Sequence, residues 1–128
     1  MFQIKKLFKK PLPKPFSHYR KIAEAILGKA FELSLVFISK KESKKLNKKF
    51  RHKNKVANVL SFQLGKNYGE IFITIERAED EAKKFEMSTA VYIDYLLIHG
   101  ALHLLGLDHG KKMERAENKF LTTYSHTK

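Results

Sequence analysis

The segment STAVYIDYLLIHGALHLLGLDH, residues 88–109, decides how the rest of the chain is read. Its most apolar window, Ala90 to Leu105, suits a buried helix. It is shorter than the roughly 20 residues that cross a bilayer, and Asp94, His99 and His103 interrupt it. Ser88 stands where a hydroxyl can cap the first turn, and Gly106 stands where a left-handed backbone can end the helix. His99 and His103, four apart, project from one helical face about one turn apart, so both imidazoles can grip a single ion. The turn that Gly106 allows then brings His109 back toward the same point. The pattern H-x3-H-x2-G-x2-H is therefore a three-ligand metal motif, and three protein ligands leave tetrahedral Zn2+ one open position, as in catalytic sites. Zinc is the default ion, while imidazole also suits Ni, Cu or Fe.

The flanking segments supply the layers. Met113, Ala116, Phe120 and Tyr124 share one helical face, predicting a helix from about 111 to 124. Glu79 with Lys83, and Asp80 with Lys84, are i,i+4 pairs that predict a surface helix over 77–86. Glu70 to Glu76 alternates, with Ile71, Ile73 and Ile75 on one face. Ala57 to Gln63 is a second strand, and residues 64–69 are the turn between them. Ser39-Lys40-Lys41-Glu42 matches a capping box opening an exposed basic helix to about Phe50, anchored by Leu46 and Phe50. Phe31 to Ile38 is a nearly continuous apolar run of strand length, as expected at the centre of a sheet. Ser17 precedes a stripe of Tyr19, Ile22, Ala23 and Ile26 that stops at Gly28, predicting a capped helix over 18–27. Helices and strands interleave, so the fold class is α/β (α+β): one domain over residues 1–128, a mixed sheet of about four strands with packed helices. Residues 1–14 are basic without the apolar run of a signal peptide, and no element is assigned to them; the expectation is a cytoplasmic protein.

Composition narrows the chemistry. The chain has 128 residues, no Cys and a net charge of +13. Without Cys there are no disulfides, thiolate metal sites or Cys nucleophiles, so any metal site is built from His and carboxylates. Residues 1–55 carry 17 Lys+Arg against 3 Asp+Glu, and residues 56–128 carry 9 against 10, so the basic character belongs to the N-terminal region. Such a block attracts polyanions, with nucleic acid the commonest partner and an anionic membrane the next. Lys40, Lys41, Lys44, Lys45, Lys48 and Lys49 form the best candidate RNA track. Tyr19, Phe31, Phe37, Phe50, Phe62 and Tyr68 lie among the basic residues and can in principle stack on bases, although most are better explained as core. His18, His52 and His126 lie outside the motif and read as surface residues, His52 being close enough to Arg51 to touch RNA.

The spacing of the three histidines is shared with the metzincin metalloproteases, whose motif places Glu after the first His; here that position is Gly100. Without that Glu there is no group to deprotonate the attacking water, which disfavours peptide hydrolysis. His99-Gly-x-Leu-His103-Leu-x-Gly106-x-Asp108-His109 resembles instead the signature of the YbeY family, bacterial metal-dependent single-strand endoribonucleases of ribosomal RNA maturation and ribosome quality control. Leu46-Asn47-x-x-Phe50-Arg51, Asn58-Val59-Leu60-Ser61-Phe62, Gly69-Glu70-Ile71 and Met113-Glu114-x-x-Glu117 extend the resemblance over about residues 33–121.

The resemblance implies an endoribonuclease acting in maturation of the small-subunit rRNA 3′ end, with one zinc on His99, His103 and His109 and a functional Arg51. Its partners would be single-stranded RNA, ribosomal RNA and the ribosome. Arg51 ends the lysine-rich helix, where a fork of donors can hold a phosphate; with His99 it is assigned to catalysis, and with Lys44, Lys45, Lys48 and Lys49 to RNA binding. Asp108 and Asp94 are candidates to orient ligating imidazoles, with a turn cap and a solvent-facing carboxylate as the respective plain readings. No residue is assigned as general base. The chain departs from the family pattern at Phe50 for Tyr, Asn54 for Asp, Ala57-Asn58 for Thr-Asp, Gln63 for Pro and Leu107 for Tyr. Two carboxylates thereby become amides, which cannot act as bases. A zinc-containing RNA- or ribosome-binding assembly factor with weak or no turnover is therefore the alternative, and a divergent peptide hydrolase is a third.

Overall fold

Leu33, Leu35 and Phe37 point to one side of strand β2 (Glu32–Ile38) while Val36 and Ile38 point to the other, and all five are buried. A strand apolar on both faces belongs inside a sheet. In the computed structural model, which describes residues 2–125, β2 is an inner strand of a four-stranded mixed sheet. The order is β1 (Phe2–Lys6), β2, β4 (Tyr68–Thr74), β3 (Val59–Gly65); β1, β2 and β4 are parallel and β3 runs antiparallel to β4. The register sets Leu35 between Ile4 and Ile71, and Ile71 against Ser61. Among the described residues five helices accompany the sheet: α1 (Phe16–Leu27), α2 (Lys40–Arg51), α3 (Ile75–Lys84), α4 (Thr89–Leu104) and α5 (Lys111–Tyr124).

Helix α4 is the centre of the molecule. It packs on β3 and β4 and is flanked by α1, α3 and α5, with Ile93, Leu97, Ile98 and Ala101 fully enclosed. Ser88 caps it, the hydroxyl accepting from Val91 N at 3.1 Å. Helix α2 opens with the expected capping box on Ser39 and Glu42. It lies near the opposite face of the sheet, where Phe50, Phe62 and Phe72 meet edge-on at 5.6 and 6.0 Å. Buried Ser43 both donates to Ala57 O and accepts from Ala57 N at 3.0 Å, and Asn47 Nδ2 donates to Lys55 O at 3.0 Å. The loop after α2 is therefore folded back along the helix, and His52, left-handed at φ 57°, makes the reversal. Arg51 is held at that corner.

Four expectations are corrected. Residues 2–6 form a strand: Phe2 and Ile4 alternate with Gln3 and Lys5, and an edge strand needs only one apolar face, which the surrounding lysines obscure in the sequence. Ser17 does not cap α1, which begins at Phe16 with Pro15 in the cap position, although Gly28 ends it as expected at φ 85°. Strand β4 stops at Thr74; Ile75 is buried, but as the first residue of α3. His18 is not a free surface residue. Its Nε2 contacts both carboxylate oxygens of Asp94 at 2.9 and 3.0 Å, joining α1 to α4. His126 lies outside the described residues. Among the described residues no helix is long and apolar enough to cross a membrane.

Candidate metal centre

The end of α4 is built by Gly106. With φ 93° it lets Gly106 N donate to His103 O at 2.9 Å and Leu107 N donate to Leu102 O at 3.1 Å, the paired bonds of a Schellman termination. The chain reverses, and His109 meets the two helical imidazoles: ring centroids lie 4.6 Å apart for His99 and His103, 5.3 Å for His99 and His109, and 5.1 Å for His103 and His109. One nitrogen from each ring falls within 4.8 Å of the others. The Nε2 atoms of His99 and His103 are 3.1 Å apart, close to the roughly 3.3 Å that two tetrahedral Zn–N bonds of about 2.0–2.1 Å would set.

The surroundings suit a cation. Glu117 of α5, largely buried, sits 2.5 Å from His99 Nδ1; a carboxylate there makes Nδ1 the protonated nitrogen and leaves Nε2 as the ligand. Burial, and then the neighbouring imidazoles of His99 and His109, hold the His103 pKa below its ordinary value, which favours the neutral form that can ligate. Three converging imidazoles with a carboxylate behind one of them fit a borderline divalent ion such as Zn2+. Asp94 plays no part in this arrangement, because its carboxylate is committed to His18. Asp108 is exposed on the turn and makes no hydrogen bond to the three imidazoles among the described residues, although its charge acts on His103.

The imidazoles open onto a cleft of about 570 Å3 whose other walls include Arg51, Asn58, Ser61 and Tyr95. Arg51, distant in sequence, is thus brought to face the three histidines. Its Nη2 donates to Ser61 O at 2.8 Å and its guanidinium lies over the Phe62 ring at 5.1 Å, so the fork is oriented while donors remain for a ligand. Lys44, Lys45, Lys48 and Lys49 do not line the cleft; they lie along α2, the helix that ends in Arg51. Of the aromatic residues among the basic segments, Tyr19, Phe31 and Phe37 are core, whereas Phe50 and Tyr68 are exposed.

Gly100 has a packing explanation. A Cβ there would stand 2.8 Å from Ser61 Oγ, 3.2 Å from Ile71 Cγ2 and 3.3 Å from Val59 Cγ2, so α4 approaches β3 and β4 at a distance only Gly permits. Ser61 Oγ donates to Gly100 O at 3.1 Å across the same contact.

The amide at position 58 is answered by a carboxylate. Asn58 Nδ2 donates to Glu81 Oε1 at 3.0 Å, and the same oxygen accepts from Tyr92 OH at 2.7 Å while Arg77 Nε pairs with Oε2 at 3.2 Å. Negative charge therefore stands beside Asn58, supplied from α3. The sequence alone assigns no role to Glu81, Tyr92 or Tyr95, and places Glu117 only within a family-like stretch. Tyr92, Tyr95, His99 and His103 share a helical face, a signal that periodicity contains; Glu81 has no such signal.

The fold and the site define a class: an α/β domain on one mixed sheet, with three converging imidazoles facing an arginine across a cleft. Comparison with known proteins identifies the family. A family model described as Endoribonuclease YbeY matches residues 2–125, and the chain belongs to the YbeY family. Relatives named Endoribonuclease YbeY include one from Thermosipho melanesiensis, 38% identical over 77% of this chain and 80% of its own. Another, from Halalkalibacterium halodurans, is 32% identical over 88% and 81%. A third, from Finegoldia magna, is 39% identical over 66% of this chain, the match spanning 60% of that relative's length. Among solved structures, the solution structure of TM1509 from Thermotoga maritima aligns with a TM-score of 0.70 and 28% identity, covering 94% of this chain and 87% of that one.

Proposed function

We propose that this chain is a metal-dependent endoribonuclease that hydrolyses phosphodiester bonds of single-stranded RNA, with zinc on His99, His103 and His109. Its setting on this reading is the cytoplasm, in maturation of ribosomal RNA, including the 3′ end of the small-subunit rRNA, and in ribosome quality control with the ribosome as partner. The observation that carries the reading is the convergence of Arg51 and the three imidazoles on one cleft in a chain of the YbeY family. When bound, a zinc ion supplies Lewis-acid polarisation of a phosphoryl oxygen and activation of water.

The chain's own residues do the rest. Glu117 holds the His99 ring in one orientation. Arg51, fixed by Ser61 O, offers its free donors to the scissile phosphate and to charge that builds on it. The lysines of α2 raise the local concentration of RNA and guide it toward Arg51. Asp108 stays a candidate to tune His103 through its charge. The assembly-factor alternative rests on Asn54 and Asn58, and Glu81 beside Asn58 weakens half of it.

The test is cleavage of an end-labelled single-stranded RNA by zinc-loaded protein, beside folded His103→Ala and Arg51→Ala variants. Cutting by the wild type alone is expected; absence of cutting with zinc confirmed bound would favour the binding factor. Affinity for RNA is expected to fall steeply with salt. Removing Lys44, Lys45, Lys48 and Lys49 together should lower the log–log slope by up to about 3, since each single-strand phosphate contact contributes about 0.7. A slope unchanged by the four substitutions would remove α2 from the RNA path.

A further inference from the structure

One wall of the cleft is aromatic. Phe85, 58% exposed, stacks on Tyr92 at 6.0 Å with rings inclined by 23°. Tyr92 meets Tyr95 at 5.6 Å, and Tyr95 meets His99 at 5.9 Å. Tyr92, Tyr95 and His99 occupy one face of α4, so Tyr95 stands one helical turn, about 6 Å of rise, before the first imidazole. The two tyrosines differ in how they are held. Tyr92 is 5% exposed and its hydroxyl is fastened by Glu81, making it a rigid backing. Tyr95 is half-buried and lines the cleft in company with Arg51.

An aromatic side chain open to a cleft that also presents an arginine fork is the combination that receives single-stranded nucleic acid: the cation takes the backbone and the ring takes a base face. We propose that Tyr95, backed by Tyr92 and Phe85, is a stacking subsite for the unpaired nucleobase adjoining the phosphate held at Arg51. The proposal rests on the reading of the cleft as an RNA site. It gives a physical source of single-strand preference, because a base stacked and paired within a duplex has no free face to lay on Tyr95.

The experiment compares two labelled oligomers of equal length with 2′-O-methyl, phosphorothioate backbones, one of uridines and one abasic throughout, checked to be intact after incubation, binding to zinc-loaded full-length protein by fluorescence anisotropy. The wild type should prefer the base-bearing strand by roughly 5- to 150-fold, the effect of one lost stack. Tyr95→Phe should keep that preference. Tyr95→Ala should abolish most of it while leaving affinity for the abasic strand, and the zinc content, unchanged. Tyr95→Leu keeps an apolar side chain against Tyr92 without a π-face and serves if the Ala variant does not fold; it should behave like Ala. Equal weakening of both strands by Tyr95→Ala or Tyr95→Leu, or no weakening of either, would overturn the proposal. Failure of the wild type to bind either strand would overturn the RNA reading itself. Base-selective binding together with no cleavage of the unmodified end-labelled RNA by the same zinc-loaded protein would overturn the nuclease reading and leave the subsite standing.

Discussion

Gly100→Ala tests the packing that builds the site. The added Cβ would meet Ser61 Oγ at 2.8 Å and the methyls of Ile71 and Val59 at 3.2 and 3.3 Å, where non-bonded carbons prefer about 3.5–4.0 Å. Overpacking of this kind costs about 1–3 kcal/mol. If Ser61 rotates away, its hydrogen bond to Gly100 O is lost at a further cost of about 1 kcal/mol. Against this, Ala gains about 1 kcal/mol over Gly in a helix interior. The balance is a net destabilisation of roughly 1–2 kcal/mol, equivalent to a Tm lower by about 5 °C in a domain of this size. Thermal unfolding followed by circular dichroism, in chelator so that metal binding does not shift the midpoint, measures it. Ser61→Ala removes the nearest clashing atom, so Gly100→Ala should cost about 1 kcal/mol less in that background. A Tm raised by Gly100→Ala alone would show that helix propensity outweighs the overpacking and that α4 does not lie so close to β3. The same contact bars a Glu at this position, because the side chain would have to enter between α4 and the sheet.

Three further outcomes are expected. Glu117→Gln keeps an acceptor near His99 Nδ1 but removes the charge, and should weaken zinc binding about 10–100-fold in a chelator competition while the far-ultraviolet spectrum is unchanged; wild-type affinity would deny Glu117 its orienting role. Asn58→Asp puts a second carboxylate at hydrogen-bond distance from Glu81, and should destabilise the fold by about 1–3 kcal/mol in urea unfolding; Asn58→Asp with Glu81→Gln interchanges the two groups and should recover most of the loss, whereas additive losses would count against the pairing. His18→Ala leaves Asp94, 1% exposed, without its partner, and should cost on the order of 3 kcal/mol by the same measurement; a loss below about 0.5 kcal/mol, the size of an ordinary surface substitution, would mean the pair is not structural.

Local periodicity makes much of the fold legible. Ser88, the apolar face of α4 and Gly106 each act within a few residues, so the helix that carries His99 and His103, its cap and its terminator can be placed from the chain alone. The same holds for the capping box of α2 and the hairpin of β3 and β4, although the boundary at Thr74 is not readable, since Ile75 is buried whether it continues a strand or begins a helix. Strand β1 is of another kind. Five residues with two apolar side chains become a strand only by pairing with β2, whose partners in the register lie some thirty positions later.

Side-chain partners are the least legible part. The sequence offers Asp94 as a candidate to orient the ligating imidazoles, yet His18, 76 residues away, takes it. Glu117 reaches His99 from α5, and Glu81 reaches Asn58 from α3, each across a packed interface that no spacing rule describes. Apolar periodicity, charge placement and the histidine spacing by themselves determined an α/β domain, a basic N-terminal region and a three-imidazole metal motif, because propensity, capping and helical period act over neighbouring residues. Tertiary structure alone decided that Arg51 faces that motif, that Glu117 stands behind it and that Tyr95 walls the cleft, because these contacts are made between elements and exist only once the sheet and α4 have packed together.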